Sequence, residues 1–235
     1  MRGRALTAAF AALALATTLA ACRGKSLDQV LEARRAPVEA RLAAIGRLGP
    51  AVEAAPRPAP PLRRPDGALV LEPDVKSTAA VVYAQDLADP GALTPGVTRT
   101  LRANRLAECG SLLRKKKHLT TLSDPLPRVA DEYLEACAAV RWALVVRTFA
   151  YEAPRLTGAD RFAPGRFDGD VLVFDVTTGE LLGGFPVSVR SSNSVAVVQS
   201  ARDSDRIQND FEANVFVALD DAIRAALPGA LRPPR

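Results

Sequence analysis

The chain has 235 residues, of which 48% are hydrophobic and 24% are charged, and its formal net charge is +5 at pH 7. This length is sufficient for one domain with a substantial hydrophobic core. The positive charge is mild, so we attribute it to solubility or to a weak attraction to anionic surfaces, and we do not expect nucleic-acid binding.

The first 22 residues have the organisation of an export signal. Arg2 and Arg4 form a basic start, and residues 5–21 are uncharged, rich in Ala and Leu, and end in small residues. A helix needs roughly 20 apolar residues to span a bilayer, so this shorter run is typical of a cleaved secretory signal over residues 1–21. No other segment of the sequence is apolar enough to span a membrane.

The run Leu19-Ala20-Ala21-Cys22 resembles the lipobox of bacterial lipoproteins. The resemblance implies cleavage before Cys22, attachment of fatty acyl chains such as palmitate to its thiol, and anchoring in a membrane, because two or three acyl chains hold a protein firmly. The family's inner-membrane retention signal is typically Asp at the next position, which is Arg23 here. The resemblance therefore implies the outer membrane, with the domain facing the periplasm. The alternative is an ordinary signal peptide with an incidental cysteine.

The remaining cysteines, Cys109 and Cys137, form an even pair in a chain that we expect to be exported. An oxidising compartment favours a disulfide between them. The alternative is two buried free thiols. No metal or other cofactor is predicted, because the mature chain contains a single histidine, His118, and a metal site needs more His or Cys ligands.

Residues 22–67 are predicted to form a lipidated N-terminal helix and a proline-rich linker. Ser26 and Gln29 have capping-box spacing at the start of a helix over residues 26–48, which Pro37 is expected to interrupt before a second turn restarts. Six prolines follow within residues 49–67. This segment is either a tether that lifts the domain off the membrane or an irregular loop packed on the domain.

Residues 68–235 are predicted to form a periplasmic α+β domain. The first expected elements are strands at 68–71 and 78–83, helices at 98–114 and 127–140, and a clear strand at 142–151. A loop is expected at 152–168.

A β-hairpin follows that loop, with strands at 170–176 and 181–189. Gly179 is suited to the tight turn, Gly183-Gly184 suggests a bulge, and Pro186 suggests an edge strand. A further strand is possible at 194–200. The last element is a helix over 204–227, whose apolar stripe is expected to cover the sheet. The order β-α-α-β-β-β-α predicts an antiparallel or mixed sheet that is covered on one face by helices.

Several residue patterns bear on whether the chain contains a reaction site. Gly24-Lys25-Ser26 matches only the tail of a phosphate-binding loop, and the sequence has no G-x-S-x-G elbow. His118 follows Arg114 and three lysines, which favours a solvated basic loop; the functional alternative is contact of the lysines with lipid headgroups or an anionic polymer. Acidic residues of the hairpin could pair for catalysis or bind calcium, but acids at hairpin ends are commonly just solvated surface groups. The residues are Asp168, Asp170, Asp175 and Glu180.

The turn from Asp175 to Glu180 has the pattern D-x-x-T-G-E after a strand. With the second strand and the long final helix, it resembles the α/β domain of curli-secretion-type lipoproteins and related assembly lipoproteins. The resemblance covers at most the part of the chain from Trp142 onward. It implies a non-catalytic role in the envelope and assigns no site residues.

The sequence therefore predicts a non-enzymatic outer-membrane lipoprotein, bound to the membrane through Cys22, whose domain binds an envelope protein partner or an envelope polymer. The alternative is an envelope hydrolase or small-ligand-binding protein that uses the 152–168 loop. The polar residues of that loop would then form the site: Arg155, Asp160, Arg161 and Arg166.

Overall fold

A computed structural model describes residues 25–71, 77–92, 105–114, 125–158, 161–192 and 203–230. The predicted signal peptide, Cys22, His118, Asp160 and the possible strand at 194–200 lie outside these ranges. No helix within them is both long enough and apolar enough to cross a membrane.

The observed elements make up an α+β fold, as predicted from the sequence. In chain order they are α1 (Leu27–Gly46), α2 (Gly49–Ala54), β1 (Ala79–Tyr83), a short 3₁₀ turn (Ala84–Asp86), α3 (Arg105–Leu113), α4 (Pro127–Ala138), β2 (Trp142–Glu152), β3 (Arg155–Gly158), β4 (Arg161–Ala163), β5 (Arg166–Asp175), β6 (Glu180–Arg190) and α5 (Asp203–Ala226). From β1 onward, the four main strands and the three helices follow the predicted order.

The main sheet is mixed and has the strand order β1-β2-β5-β6. The strand β1 pairs with β2 in parallel, whereas β2–β5 and β5–β6 pair antiparallel. The predicted hairpin is β5–β6, and Gly179 has φ +74° in its turn. Because β6 lies at the edge, Pro186 is tolerated there, as predicted.

Two predictions for the segments between the main elements were wrong. Residues 152–168 are not one loop: β3 and β4 form a separate two-stranded sheet, and β5 already begins at Arg166. The prolines and glycines of this stretch lie near the ends of short strands and do not indicate one continuous loop. Residues 68–71 are not a strand, although the Val70 carbonyl accepts hydrogen bonds from the backbone N–H groups of Thr78 and Ala79 at 3.0 and 3.1 Å.

Helices cover both faces of the sheet, so the prediction of helices on one face only was wrong. On the first face, α5 packs its apolar stripe against side chains such as Leu144 and Val173. On the second face, α1, α2 and α3 contribute side chains that pack against Val145 and Phe174. Both faces need a cover because β2 and β5 carry apolar side chains in both directions over most of their length.

The helix α1 runs without a break through Pro37, contrary to the predicted interruption. Its capping box between Ser26 and Gln29 is present, as predicted. Proline removes one helical hydrogen bond, but α1 packs along α4, where Arg34 binds Asp131 and Glu135 at 2.6 and 2.7 Å. The tertiary contacts therefore maintain a helix that the local sequence disfavours.

The cysteines at 109 and 137 face each other between α3 and α4. Their Cα atoms are 6.4 Å apart, which is disulfide-bonding distance, and both side chains are buried. The predicted pairing therefore agrees with the geometry of the fold.

The proline-rich segment lies along the outer edge of β6. The Pro60 carbonyl accepts from the Gly184 N–H at 2.8 Å, and the Leu182 carbonyl accepts from the Arg63 N–H at 2.9 Å. The register shift in β6 lies next to these contacts, and Gly183 has φ +118°, in agreement with the predicted bulge. A Cβ at Gly183 would collide with the Pro61 backbone. These contacts are the ones expected of a loop packed on the domain.

Candidate partner-binding surface at the end of the sheet

The exposed apolar side chains are concentrated at one end of β2. This strand is buried from Trp142 to Arg147 and becomes largely exposed after that point. Among the described residues, five large hydrophobic side chains are exposed, and three of them lie within residues 149–156: Phe149 at 42%, Tyr151 at 36% and Leu156 at 45%. Exposed apolar groups that cluster in this way mark an interaction surface more often than scattered ones do.

A buried ion pair marks where the cover of the second face ends. Arg147 binds both carboxylate oxygens of Asp170, at 2.8 and 2.6 Å, and the two side chains are only 4% and 2% exposed. The same guanidinium donates to the carbonyls of Val52, Ala55 and Pro56 at 2.8–3.2 Å. Arg147 therefore fastens the end of α2 to the sheet through a two-point contact that satisfies its charge.

Beyond this ion pair, the second face carries an aromatic ring between arginines. The guanidinium carbon of Arg57 lies 5.0 Å from the centroid of the Phe149 ring, and that of Arg147 lies 5.5 Å from it. These are cation–π distances, and they position the exposed ring.

Two further arginines lie next to each other where the strands end. Arg166 and Arg190 are opposite each other in the β5–β6 register, and both are exposed. Asp168 pairs with Arg166 and accepts a hydrogen bond from the Ser188 hydroxyl at 2.5 Å. The Ser188 hydrogen bond, followed by the Arg166 charge, holds the pKa of Asp168 below its ordinary value. Asp168 therefore stays ionised and offsets one of the neighbouring positive charges.

On the first face, α5 supports the same end of the sheet. The rings of Tyr151 and Phe211 have centroids 5.7 Å apart, and the Gln208 side-chain amide donates to the Tyr151 hydroxyl at 2.7 Å. Gly165 packs so closely that a Cβ there would lie 2.9 Å from the Phe211 ring. Ser191 and Gly165 exchange two hydrogen bonds of 2.8 and 3.0 Å. The base of the β3–β4 hairpin is therefore held rigidly, while its strands are exposed.

We call this region the sheet-end surface. It lies at one end of the sheet and includes exposed side chains from both faces and from β3–β4, three of them apolar and five basic: Arg57, Phe149, Tyr151, Arg155, Leu156, Arg161, Arg166 and Arg190. The predicted residues Arg155, Arg161 and Arg166 are thus in one region, although Asp160 lies outside the described residues. The aromatic residues and Arg57 were not predicted for the site. An apolar run in a strand indicates buried positions, and the sequence does not show that this strand extends beyond the helices that cover it.

The acidic residues of the hairpin are separated into different ion pairs. Asp170 binds Arg147, Glu180 binds Arg63 at 2.8 Å, and Asp175 binds Arg141 at 3.1 Å. Burial favours a higher pKa for Asp175, but the Thr177 N–H and then Arg141 outweigh burial, and the pKa lies below its ordinary value. Within the ranges that the structure describes, no three His, Cys, Asp or Glu side chains are grouped to hold a metal ion.

Three of the cavities in the described part of the fold lie elsewhere. One of about 600 Å³ lies between residues 62–70 and 226–230. Two of about 410 Å³ lie beside the start of α4 and beside the end of α1. None of the three is lined by residues 152–168, so the arginines of that stretch project from exposed strands and do not line any of these cavities.

Comparison with known proteins adds little to this picture. No family model and no curated protein matches the chain. Among solved structures, the hypothetical protein CT253 from Chlamydia trachomatis aligns over 63% of this chain and 91% of its own length, at 12% identity and a TM-score of 0.25. A similarity this low carries no argument about function.

Proposed function

We propose that this protein is a non-enzymatic, lipid-anchored envelope protein that binds a protein partner through the sheet-end surface. The observation that carries the proposal is the concentration of exposed Phe149, Tyr151 and Leu156 among arginines on a rigid support. Aromatic residues and arginine are enriched in protein interfaces, where they supply most of the binding free energy. An envelope polymer is the alternative ligand, but it would use the positive charge more than the apolar groups.

The arrangement of the titratable groups supports a role without catalysis. Each hairpin carboxylate is held by its own partner, so no two of them are set to share a proton as an acid–base pair. Burial, with the Asp86 carboxyl, raises the pKa of Tyr83 and keeps its hydroxyl neutral. A non-catalytic envelope role is also what the resemblance of the Asp175–Glu180 turn to assembly lipoproteins implies.

The anchoring part of the proposal depends on Cys22 and the signal before it. Mass spectrometry of the mature N-terminal peptide should show a chain that begins at Cys22 and carries acyl groups. The Cys22→Ala variant should lack them and leave the membrane fraction. A wild-type chain that begins elsewhere, or that begins at an unmodified Cys22, would contradict the anchor. Separation of inner and outer membranes then tests the outer-membrane location.

The partner-binding part is tested by cross-linking in intact cells with paired variants. Phe149→Ser combined with Leu156→Ser removes the apolar groups of the sheet-end surface. Val217→Ser is the matched control, because Val217 is also an exposed apolar residue (53%) but lies on α5 and is not one of the residues of this surface. We expect a cross-linked partner with the wild type and the control, and its loss from the double variant at an unchanged melting temperature. Identical cross-links from all three proteins would refute the proposed surface.

A further inference from the structure

The helical layer has an exposed end that the sheet-end surface does not use. The helices α1 and α4 run side by side in the same direction, since Arg34 binds Asp131 and Arg41 reaches the Ala138 carbonyl at 3.1 Å. Both helices therefore begin at one end of the layer. A cavity of about 410 Å³ there is lined by Lys25, before α1, together with Leu126 and Arg128, at the start of α4.

These three residues bring one apolar and two basic side chains to the same cavity, and we call them the helical end. Leu126 is 71% exposed, the largest value among the exposed large hydrophobic residues of the described chain. The Arg128 side chain is 85% exposed, and Lys25 is also exposed. A leucine flanked by long basic side chains has the composition of a membrane-interface contact, in which the apolar group enters the headgroup layer and the cations reach lipid phosphates.

Acidic groups also lie near this end, and several of them pair with arginines. Asp131 is neutralised by Arg34, whose hydrogen bond lowers the pKa of this carboxyl. Glu132 lies 3.7 Å from Arg128, and Asp28 lies in the first turn of α1. The starts of two parallel helices add positive partial charge at the same end.

The short distance in sequence between Cys22 and Lys25 indicates that lipid is the partner of this surface. Lys25 is three positions after Cys22, and a fully extended chain spans at most about 3.6 Å per residue, so Lys25 lies within about 11 Å of an acylated cysteine. We infer that the helical end docks directly on an anionic lipid bilayer, an inference that rests on the proposed anchor at Cys22. The helix α1 has 20 residues and is about 30 Å long, which places its sheet-packed end away from the lipid.

The test uses the full-length mature lipoprotein reconstituted in vesicles of phosphatidylcholine and phosphatidylglycerol with brominated acyl chains. Leu126→Trp introduces a fluorophore at the helical end, and Val217→Trp introduces one on the exposed side of α5. The native Trp142 is buried and serves as a constant background. We expect brominated lipid to reduce the added emission of the Leu126→Trp variant about twofold and to leave the Val217→Trp variant unchanged.

A second pair of measurements tests the role of charge. Combining Lys25→Gln and Arg128→Gln with Leu126→Trp should weaken the quenching, as should vesicles of phosphatidylcholine alone. Equal quenching of the two tryptophan variants, or quenching that ignores both charge changes, would overturn docking of the helical end. If mass spectrometry shows an acylated Cys22 in that case, the anchor stands and only the docking fails. A mature chain without acyl groups would overturn both.

Discussion

The two faces of the sheet are covered in different ways. On the first face, α5 supplies a continuous cover through one apolar stripe that contains Ile207, Phe211 and Val215. On the second face, the end of α1, the short α2 and part of α3 together make the cover. A single helix buries a face through its own periodicity, whereas a cover made from several segments depends on contacts between residues that are far apart in the sequence.

The unequal covers also explain where the sheet-end surface lies. The helix α5 still supports Tyr151 through Phe211 and Gln208, near the far end of β2. The cover of the second face ends at the Arg147–Asp170 ion pair, and Phe149 lies exposed beyond it. The exposure of Phe149 therefore arises because the cover of the second face is shorter than that of the first.

The largest predicted change in stability comes from breaking the Arg147–Asp170 ion pair, where the helical cover of the second face ends. Asp170→Ala leaves the buried Arg147 guanidinium without its counter-ion, and it should lower the free energy of unfolding by up to about 5 kcal/mol. Asp168→Ala is the control on the same strand, and its more exposed ion pair should contribute much less to the free energy of unfolding. Urea unfolding measures both variants. Equal losses would show that the ion pair does not hold the second cover in place.

The next prediction concerns α5, which covers the first face. Phe211 is fully buried under Tyr151 and Gly165, so Phe211→Ala should lower the free energy of unfolding by about 4 kcal/mol. Val217→Ala, on the exposed side of the same helix, should change it by less than about 0.5 kcal/mol. Thermal unfolding compares the two variants. A Phe211→Ala protein as stable as the wild type would mean that α5 does not cover the sheet.

A third prediction concerns the cysteine pair between α3 and α4 and asks whether a covalent link stabilises these helices. A disulfide between Cys109 and Cys137, 28 residues apart, should stabilise the fold by about 3.5 kcal/mol in the chain-entropy model. In a Cys22→Ala background, unfolded and unreduced protein should show no reactive thiols. Two labelled thiols per chain would contradict the bond, and a Cys109→Ala/Cys137→Ala variant should show the expected loss of stability on urea unfolding.

The smallest predicted effect lies at the start of the hairpin turn. The folded pKa of Asp175 lies below its unfolded value, so its contribution to stability is present above the unfolded pKa and is lost as the pH falls through the folded pKa. Asp175→Asn keeps an acceptor for the Thr177 N–H but removes the charge facing Arg141. At neutral pH the variant should be about 1 kcal/mol less stable, and the difference should shrink in acid. A difference that stays constant with pH would contradict this.

Local sequence patterns determined several elements correctly. The stripe of α5, the capping box at Ser26, the turn at Gly179 and the edge position of Pro186 each depend on residues close together in the chain. The predicted positions of Cys109 and Cys137 on inward helix faces also follow from periodicity. In the candidate site, only the arginines of residues 155–166 were predicted, because a polar stretch between two strands is recognisable without knowledge of its neighbours.

Tertiary structure alone decided the remaining features. Pro37 stays inside α1 because α4 packs along it, and the proline-rich segment lies on β6 because the bulge at Gly183 admits its backbone. Phe149 has the sequence character of a core residue, and it is exposed only because the cover ends at Arg147 and Asp170. Whether a strand position is buried depends on which segment, distant in the sequence, packs on it. Local periodicity carries no information about that packing.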